Sequence, residues 1–312
     1  MSQKNESYEK VDRYQQVTDR IVTALEKGVA PWVKPWNAGQ NLPHNGDSGH
    51  VYQGINLWLC WGSGFADSRW YTFNQIKDHG CSHVRKGEKG TPIVKWLFRD
   101  VTRTEPDSSG NDVLVTRRVP ILRVYTEFNY EQVEWDPKHT PKAPVVNGAF
   151  DPVEACAKAA DLLAKAGLTV HHGGDSASYN PRRDRVNLPL PAAFESPEAY
   201  WSTAMHEAGH WTGHESRCNR NLTGRFGSND YAAEELVAEL VSAFLCTDLG
   251  IQGKLQHAEY IGNWLTILKG DKYAVFTAAR LAREASAFLR KDGKTVEDEN
   301  TADEEVAQVA AA

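Results

Sequence analysis

The run Tyr200-Trp201-Ser202-Thr203-Ala204-Met205-His206-Glu207-Ala208-Gly209-His210 carries a His-Glu-x-x-His motif inside a segment that reads as helix. Ser196 is a good N-cap residue and Pro197 is tolerated at the first helical position, so the helix begins well ahead of the motif. His206 and His210 then share one face, one turn apart, and both imidazoles can reach a single divalent ion. The Glu beside the first histidine can hold and deprotonate an attacking water, which is hydrolase chemistry. The competing reading is an amphipathic helix whose histidines fall at i and i+4 by accident, and a third ligand decides between the two.

Two continuations of the motif are known chemistry. One runs on to Gly and then a third His; Gly213 is in place, but Ser216 occupies the histidine's position. His214 lies a further turn along, too far from His206 for all three to converge without breaking the helix. It reads as an outer or surface residue. The other continuation takes a Glu from a later helix, and Tyr231-Ala232-Ala233-Glu234-Glu235-Leu236-Val237-Ala238-Glu239-Leu240 offers one. Asp230 or Ser228 caps this helix, Gly250 stops it, and Leu236, Leu240, Ala243 and Phe244 form its apolar stripe. Glu235 and Glu239 stand one turn apart, which suits Glu235 as the ligand and Glu239 as the outer partner orienting a ligand histidine. Glu234 is the fallback ligand, and otherwise part of a solvated acidic face. Two His and one Glu hold one divalent ion, with Zn²⁺ the first choice and Mn²⁺ or Co²⁺ compatible.

The chain has 312 residues, enough for two ordinary domains, and 41% hydrophobic with 24% charged residues is the composition of a soluble globular protein. No apolar run is long enough to span a bilayer, and the opening residues lack the apolar core of a secretion signal, so the expected location is the cytosol with no membrane partner. Five cysteines, an odd number with no Cys-x-x-Cys pair, argue against a disulfide scaffold and a thiolate metal site. The net charge of -6 is uneven: up to position 140 there are 18 Lys and Arg against 17 Asp and Glu, whereas the remainder is strongly acidic. An anionic ligand prefers the first half.

The periodicity along the chain predicts an α+β protein: an N-terminal mixed α/β domain over 1–135, a linker at 136–148, a mainly helical domain over 149–292 and a disordered acidic, Ala-rich tail over 293–312. The first domain opens with a helix from Ser7 to Lys27 that presents Tyr14, Val17, Ile21 and Leu25 on one face. A core helix follows around Leu57–Trp61, and Thr72 with Gln75 makes a capping box for a short helix ending near Gly80. The basic glycine turn Val84–Gly90 feeds one strand, and Val113–Glu127 is a second. The linker contains Pro137, Pro141 and Pro144 and has no periodicity. Beyond it Asp151 caps a helix that Gly167 ends, Leu168–Val170 and Arg185–Leu188 are strands, and Tyr179–Asp184 is the turn between them. Helices over about Leu255–Leu268 and Asp271–Leu289 brace the metal-site pair.

Seven of the ten tryptophans lie before the linker. Rings interleaved with Lys and Arg are what a single-stranded nucleic acid needs, because bases stack on rings while cations follow phosphates. On that ground the candidate DNA contacts are Trp32, Trp36, Tyr52, Asn56, Trp70, Arg85, Lys86 and Lys89. Tryptophans more often build cores, and composition by itself leaves both readings open.

Several motifs in order resemble the ArdC-type antirestriction proteins of conjugative plasmids, which are similar to the N-terminal part of a plasmid DNA primase. In the first half they are Pro31-Trp32 with Pro35-Trp36, Tyr52-Gln53-Gly54-Ile55-Asn56, Arg69-Trp70-Tyr71-Thr72-Phe73-Asn74-Gln75, Val84-Arg85-Lys86-Gly87-Glu88-Lys89-Gly90 and Phe128-Asn129-x-x-Gln132. In the second they are His206–His214 and Tyr231–Glu239. The resemblance implies a single-stranded-DNA-binding domain joined to a zincin-like metallopeptidase domain, and protection of incoming plasmid DNA from host restriction during conjugation. It gives the metal to His206, His210 and Glu235 and the general base to Glu207. Hydrolysis at such a centre would act on an unknown protein substrate, and either Tyr231 or Tyr260 is a candidate oxyanion donor, between which the sequence does not choose. Alternatives are a protein that covers single-stranded DNA without hydrolysis, its metal structural, or an accessory to priming; no polymerase-like acidic cluster accompanies the latter. Gly209 stands where a bulkier apolar residue is usual, and the expected effect is looser packing behind the motif helix.

Overall fold

The computed structural model describes residues 12–27, 42–106, 111–142, 151–222, 229–251 and 261–291. Helix α1 (Arg13–Glu26) starts at Asp12, whose carboxylate accepts the N–H groups of Tyr14 and Gln15, and it buries Val17, Ile21 and Leu25 as the periodicity predicts. Strand β1 (His44–Asn45) and helix α2 (Ile55–Trp61) follow. Strand β2 (Arg69–Thr72) runs directly into α3 (Phe73–Asp78), and Thr72 and Gln75 close the reciprocal capping box between them. After β3 (His83–Val84), strands β4 (Thr91–Pro106) and β5 (Asp112–Asn129) form a long antiparallel ribbon, paired from Thr91 opposite Glu127 to Pro106 opposite Asp112.

The sheet order is β1-β2-β5-β4, which leaves β4 at an edge. Part of that edge is closed by one side chain of α2. Asn56 donates from Nδ2 to the Val94 carbonyl at 2.8 Å and accepts the Val94 N–H at 2.8 Å, so its carboxamide stands in for a neighbouring strand. Strand β6 (Val133–Glu134) pairs with β3, and residues just beyond it fold back on the sheet: Arg69 Nη1 donates to the carbonyls of Pro141 and Lys142 at 3.2 and 2.8 Å. The remainder of the expected linker, 143–148, and the tail over 293–312 lie outside the described residues.

The second half opens with α4 (Pro152–Ala166), capped by Asp151 and ended by Gly167 in the left-handed region at φ +89. Strands β7 (Val170–His172), β8 (Ser178–Asn180) and β9 (Arg185–Leu188) form a sheet of order β7-β9-β8. The turn expected over Tyr179–Asp184 is shorter than predicted. Tyr179 and Asn180 pair with Val186 and Arg185, and the reversal begins only at Pro181, with Asp184 at φ +45. Then come α5 (Pro197–Thr212), α6 (Asn229–Leu249), α7 (Ile261–Gly270) and α8 (Ala274–Arg290). Ser196 caps α5, and Gly250 follows α6 at φ +74. The whole is α+β, and among the described residues no helix is long and apolar enough to cross a membrane.

One cluster of buried apolar side chains contains residues from both halves, including Ile21, Trp58 and Trp70 with Leu240, Phe244, Trp264 and Val275. Trp58 stacks on Phe244 with centroids 6.2 Å apart, and Tyr14 meets the rings of Tyr273 and Phe276 edge-on at 4.7 and 5.1 Å. Thr18 adds a hydrogen bond to the Lys272 carbonyl at 2.8 Å. The halves are consecutive in sequence but bury apolar surface against each other.

Candidate metal centre and nucleic-acid surface

Helices α5 and α6 pack face to face, and Gly209 sets how closely. A Cβ at this position would lie 3.0 Å from the Ala238 Cα and 3.3 Å from its Cβ and carbonyl oxygen. The glycine therefore tightens the packing behind the motif instead of loosening it, because the backbone of α6 occupies the space a side chain would need.

At this crossing the ligand atoms converge. His206 Nε2 and His210 Nε2 are 3.2 Å apart, Glu235 Oε2 is 3.4 Å from His206 Nε2, and Glu235 Oε1 is 3.6 Å from His210 Nε2. An ion about 2.0–2.1 Å from each of three tetrahedral ligands requires them about 3.3 Å apart. The three predicted residues fit that requirement, and among the described residues they form the group of donors able to hold a metal. Nitrogen and carboxylate donors in this set suit a divalent ion.

Around them lies an outer layer that the sequence reading assigned differently. Glu234 is a mostly enclosed participant, outside the converging donor set and not a solvated acid: its side chain is 11% exposed and its Oε1 is 3.2 Å from His210 Nδ1. Arg220 holds Glu234 bidentately, Nε to Oε2 at 2.9 Å and Nη2 to Oε1 at 2.7 Å, and also donates to Thr212 Oγ1 and the Gly209 carbonyl at 2.8 and 2.7 Å. Glu239, expected to orient a histidine, is buried beside His206 with its Oε1 3.9 Å from Nδ1, beyond hydrogen-bonding distance. Sequence spacing gave no hint of Arg220, which comes from the loop after α5.

The charges respond to this enclosure. Burial raises Glu234, but the hydrogen bonds from Arg220 and His210 outweigh it and hold the carboxyl below its usual range. Burial likewise acts against ionised Glu235, and the two histidines reverse it, leaving the group firmly ionised. Glu207 is pushed up to about 7, mainly by burial and further by Glu235, with His210 and a hydrogen bond from the Tyr179 backbone opposing. These side chains line a cleft of 210 Å³, which Tyr179 of β8 and Tyr231 of α6 also border. Tyr179 is fixed from outside: its hydroxyl donates to Asp184 at 2.8 Å, and Arg217 bridges to both. Tyr260 lies outside the described residues. His214 sits at the surface end of α5, bonded to Ser216 Oγ at 2.8 Å.

The candidate DNA contacts separate into groups. Trp32 and Trp36 lie outside the described residues. Trp70 and Tyr52 are buried, the Tyr52 hydroxyl donating to the carboxylate of Glu127, so neither presents a ring face to solvent. Asn56 is engaged with β4 as described. Arg85, Lys86 and Lys89 are exposed on the glycine turn, Arg85 reaching the Glu131 carbonyl and Glu88. Composition could count rings but could not tell which side of the sheet they occupy.

The helix pair, the His-Glu-x-x-His motif and the glutamate from the following helix define a zincin-like metallopeptidase domain, and the family model of that description matches residues 157–281. A second model, the N-terminal domain of anti-restriction factor ArdC, matches residues 11–128. The chain is similar to the crystal structure of the antirestriction protein ArdC from plasmid R388 in its metal-free form, at 35% identity and TM-score 0.68, with 90% of this chain and 97% of that one covered. The Mn(II)-bound structure of the same protein matches at 33% identity and TM-score 0.68, covering 92% and 100%. It is also 39% identical over 304 residues to the DNA primase TraC of Escherichia coli, across 92% of this chain but only 28% of the primase's length. The chain belongs to the ArdC antirestriction family.

Proposed function

We propose that this chain is an antirestriction protein that binds single-stranded DNA through its N-terminal half and hydrolyses a peptide bond at the α5–α6 centre. Its task in this reading is to protect plasmid DNA entering by conjugation. The observation that carries the peptidase part is the convergence of His206, His210 and Glu235 beside a buried Glu207 in a cleft. A divalent ion, Zn²⁺ in this proposal although Mn²⁺ is held by the R388 relative, would be bound by those three side chains and would polarise a carbonyl there.

Glu207 performs the proton transfers. Its carboxylate takes a proton from the attacking water and delivers it to the departing amine. A group near neutrality suits both directions of transfer better than an ordinary carboxylate does. His210 is oriented by Glu234, which keeps Nδ1–H pointed outward and the Nε2 lone pair inward. Tyr231 borders the cleft and would donate to a developing oxyanion. The N-terminal part rests on the family and on Arg85, Lys86 and Lys89, whose exposed cations can follow phosphates without reading sequence. The expected site of action is the cytosol.

Glu207→Gln tests the reading because it removes the base and keeps the volume. The variant should retain metal and single-stranded DNA yet lose protection of transferred DNA in a conjugation assay against a restricting host. Protection equal to wild type would remove hydrolysis from the account and leave DNA covering as the function.

A further inference from the structure

The β4–β5 ribbon extends past the core and divides into two unlike faces. Side chains alternate along each strand, so the pairs Trp96–Leu122 and Val94–Val124 share one face while Lys95–Arg123 and Ile93–Tyr125 share the other. Trp96, Leu122 and Val124 pack against the core; on the other face Ile93 is still buried at the base of the ribbon, while Lys95, Arg123 and Tyr125 are exposed. Farther along, Arg99, Arg103 and Arg117 continue this outward face, with Leu97, Val101, Val119 and Ile121 between them. The inward face beyond the core satisfies itself: Arg118 lies 4.2 Å over the Phe98 ring, and Thr102 bonds Thr116 at 2.9 Å.

On the outward face the charge is not balanced. Lys95 stands directly opposite Arg123, an arrangement that destabilises a sheet unless an anion relieves it. Of the two acids on this face within the strands, Glu127 is buried and bonded to Tyr52, and Glu105 is taken by Arg117 at 2.6 Å. Among the described residues no carboxylate pairs with Lys95, Arg99, Arg103 or Arg123.

We propose that the outward face of the β4–β5 ribbon is a track for single-stranded DNA, with Lys95, Arg99, Arg103 and Arg123 contacting phosphates and Tyr125 offering its ring to a base. The proposal rests on the single-stranded-DNA reading above and says where the strand runs. Cations attract any polyanion, but an exposed ring and an aliphatic strip between the cations contact only bases that are free to lie on them, and a duplex keeps its bases stacked inside.

Binding of a labelled oligodeoxythymidine to the full chain, followed by fluorescence anisotropy across a salt series, tests this. Replacing all four cations (Lys95→Gln, Arg99→Gln, Arg103→Gln, Arg123→Gln) should weaken binding at least about tenfold and flatten the salt slope by about 3, since each phosphate contact on a single strand contributes about 0.7. The milder pair Arg99→Gln with Arg103→Gln should flatten it by about half as much, which keeps the test intact if the fourfold variant folds poorly. The charge-preserving set Lys95→Arg, Arg99→Lys, Arg103→Lys and Arg123→Lys should bind close to wild type.

Unchanged affinity and slope in both glutamine variants, with Lys86→Gln/Lys89→Gln impaired, would overturn the ribbon track and leave the single-strand reading standing. No binding by the wild type would remove that reading and the track with it. Loss confined to a duplex probe, with the single strand unaffected, would also overturn the proposal.

Discussion

His210 Nδ1 lies 3.2 Å from Glu234 Oε1, a contact that favours the tautomer with its proton on Nδ1 and leaves Nε2 for the proposed metal. Arg220 makes it dependable by keeping Glu234 ionised and immobile through two hydrogen bonds. Glu234→Gln keeps the shape but presents a weaker acceptor, and its amide can rotate to turn a donor toward His210. Outer partners of this kind are worth about 10–100-fold in metal affinity. The expected result is a loss within that range, read by competition with a chromophoric chelator, while Glu235→Ala removes a ligand and should lose the metal altogether. Equal affinity in Glu234→Gln and wild type would show that His210 is oriented by packing alone.

Much of this centre is readable from the chain, because His206, Glu207 and His210 are bound by one helical spacing and Glu235 lies on an apolar-striped helix soon after. The outer layer is not. Spacing favours Glu239 over Glu234 as the outer partner, until Arg220 arrives from a loop to hold Glu234 against His210, and nothing in helical periodicity encodes a loop's return. Tyr52 and Trp70 fail for a related reason: an aromatic beside a cation reads the same whether its ring is inside or outside the sheet.

At the scale of elements, the close approach of α5 and α6 carries both halves of the proposed ligand set, two histidines on one helix and Glu235 on the other. Gly209→Ala pits two effects against each other. Alanine favours the helix by about 1 kcal/mol over glycine, whereas overpacking a tight contact costs about 1–3 kcal/mol. The obstructing atoms include the Ala238 backbone, which cannot rotate aside, so the packing cost wins. The variant should melt lower than wild type, and its metal affinity should fall as well because separating the helices pulls Glu235 from the histidines. A melting temperature above wild type would mean that the helices part without strain. Element boundaries came through the sequence best where a cap defines them, as at Asp151, Ser196 and the Thr72–Gln75 box. They came through worst at β8, whose three residues are strand only because β9 lies beside them.

Over the whole molecule, what a linear reading divides at 136–148 is joined by a common core. Helix α1, from the beginning of the chain, lies against α7 and α8 near its end: Lys272 Nζ reaches Asp12 at 2.6 Å, and Tyr14 packs on Tyr273 and Phe276. Exposed ion pairs such as this add little, but the apolar contact is large in kind. Trp58 and Phe244 are both buried, and truncating an aromatic in a core costs about 3–5 kcal/mol. A loss of that size is comparable with the whole stability of many domains, so neither half should keep its own fold once the other melts. Calorimetry on the full chain should therefore give one cooperative transition, and Phe244→Ala should lower it as a unit, weakening single-stranded-DNA binding in the half that carries no mutation. Two separable transitions, with only the later one moved by Phe244→Ala, would mean that the halves fold independently and merely touch. In the cooperative case metal binding at α5 and α6 raises the melting of the N-terminal sheet by the same mass action that stabilises its own helices, and a metal-induced shift in the fluorescence of the seven first-half tryptophans, with Trp201, Trp211 and Trp264 replaced, would register it.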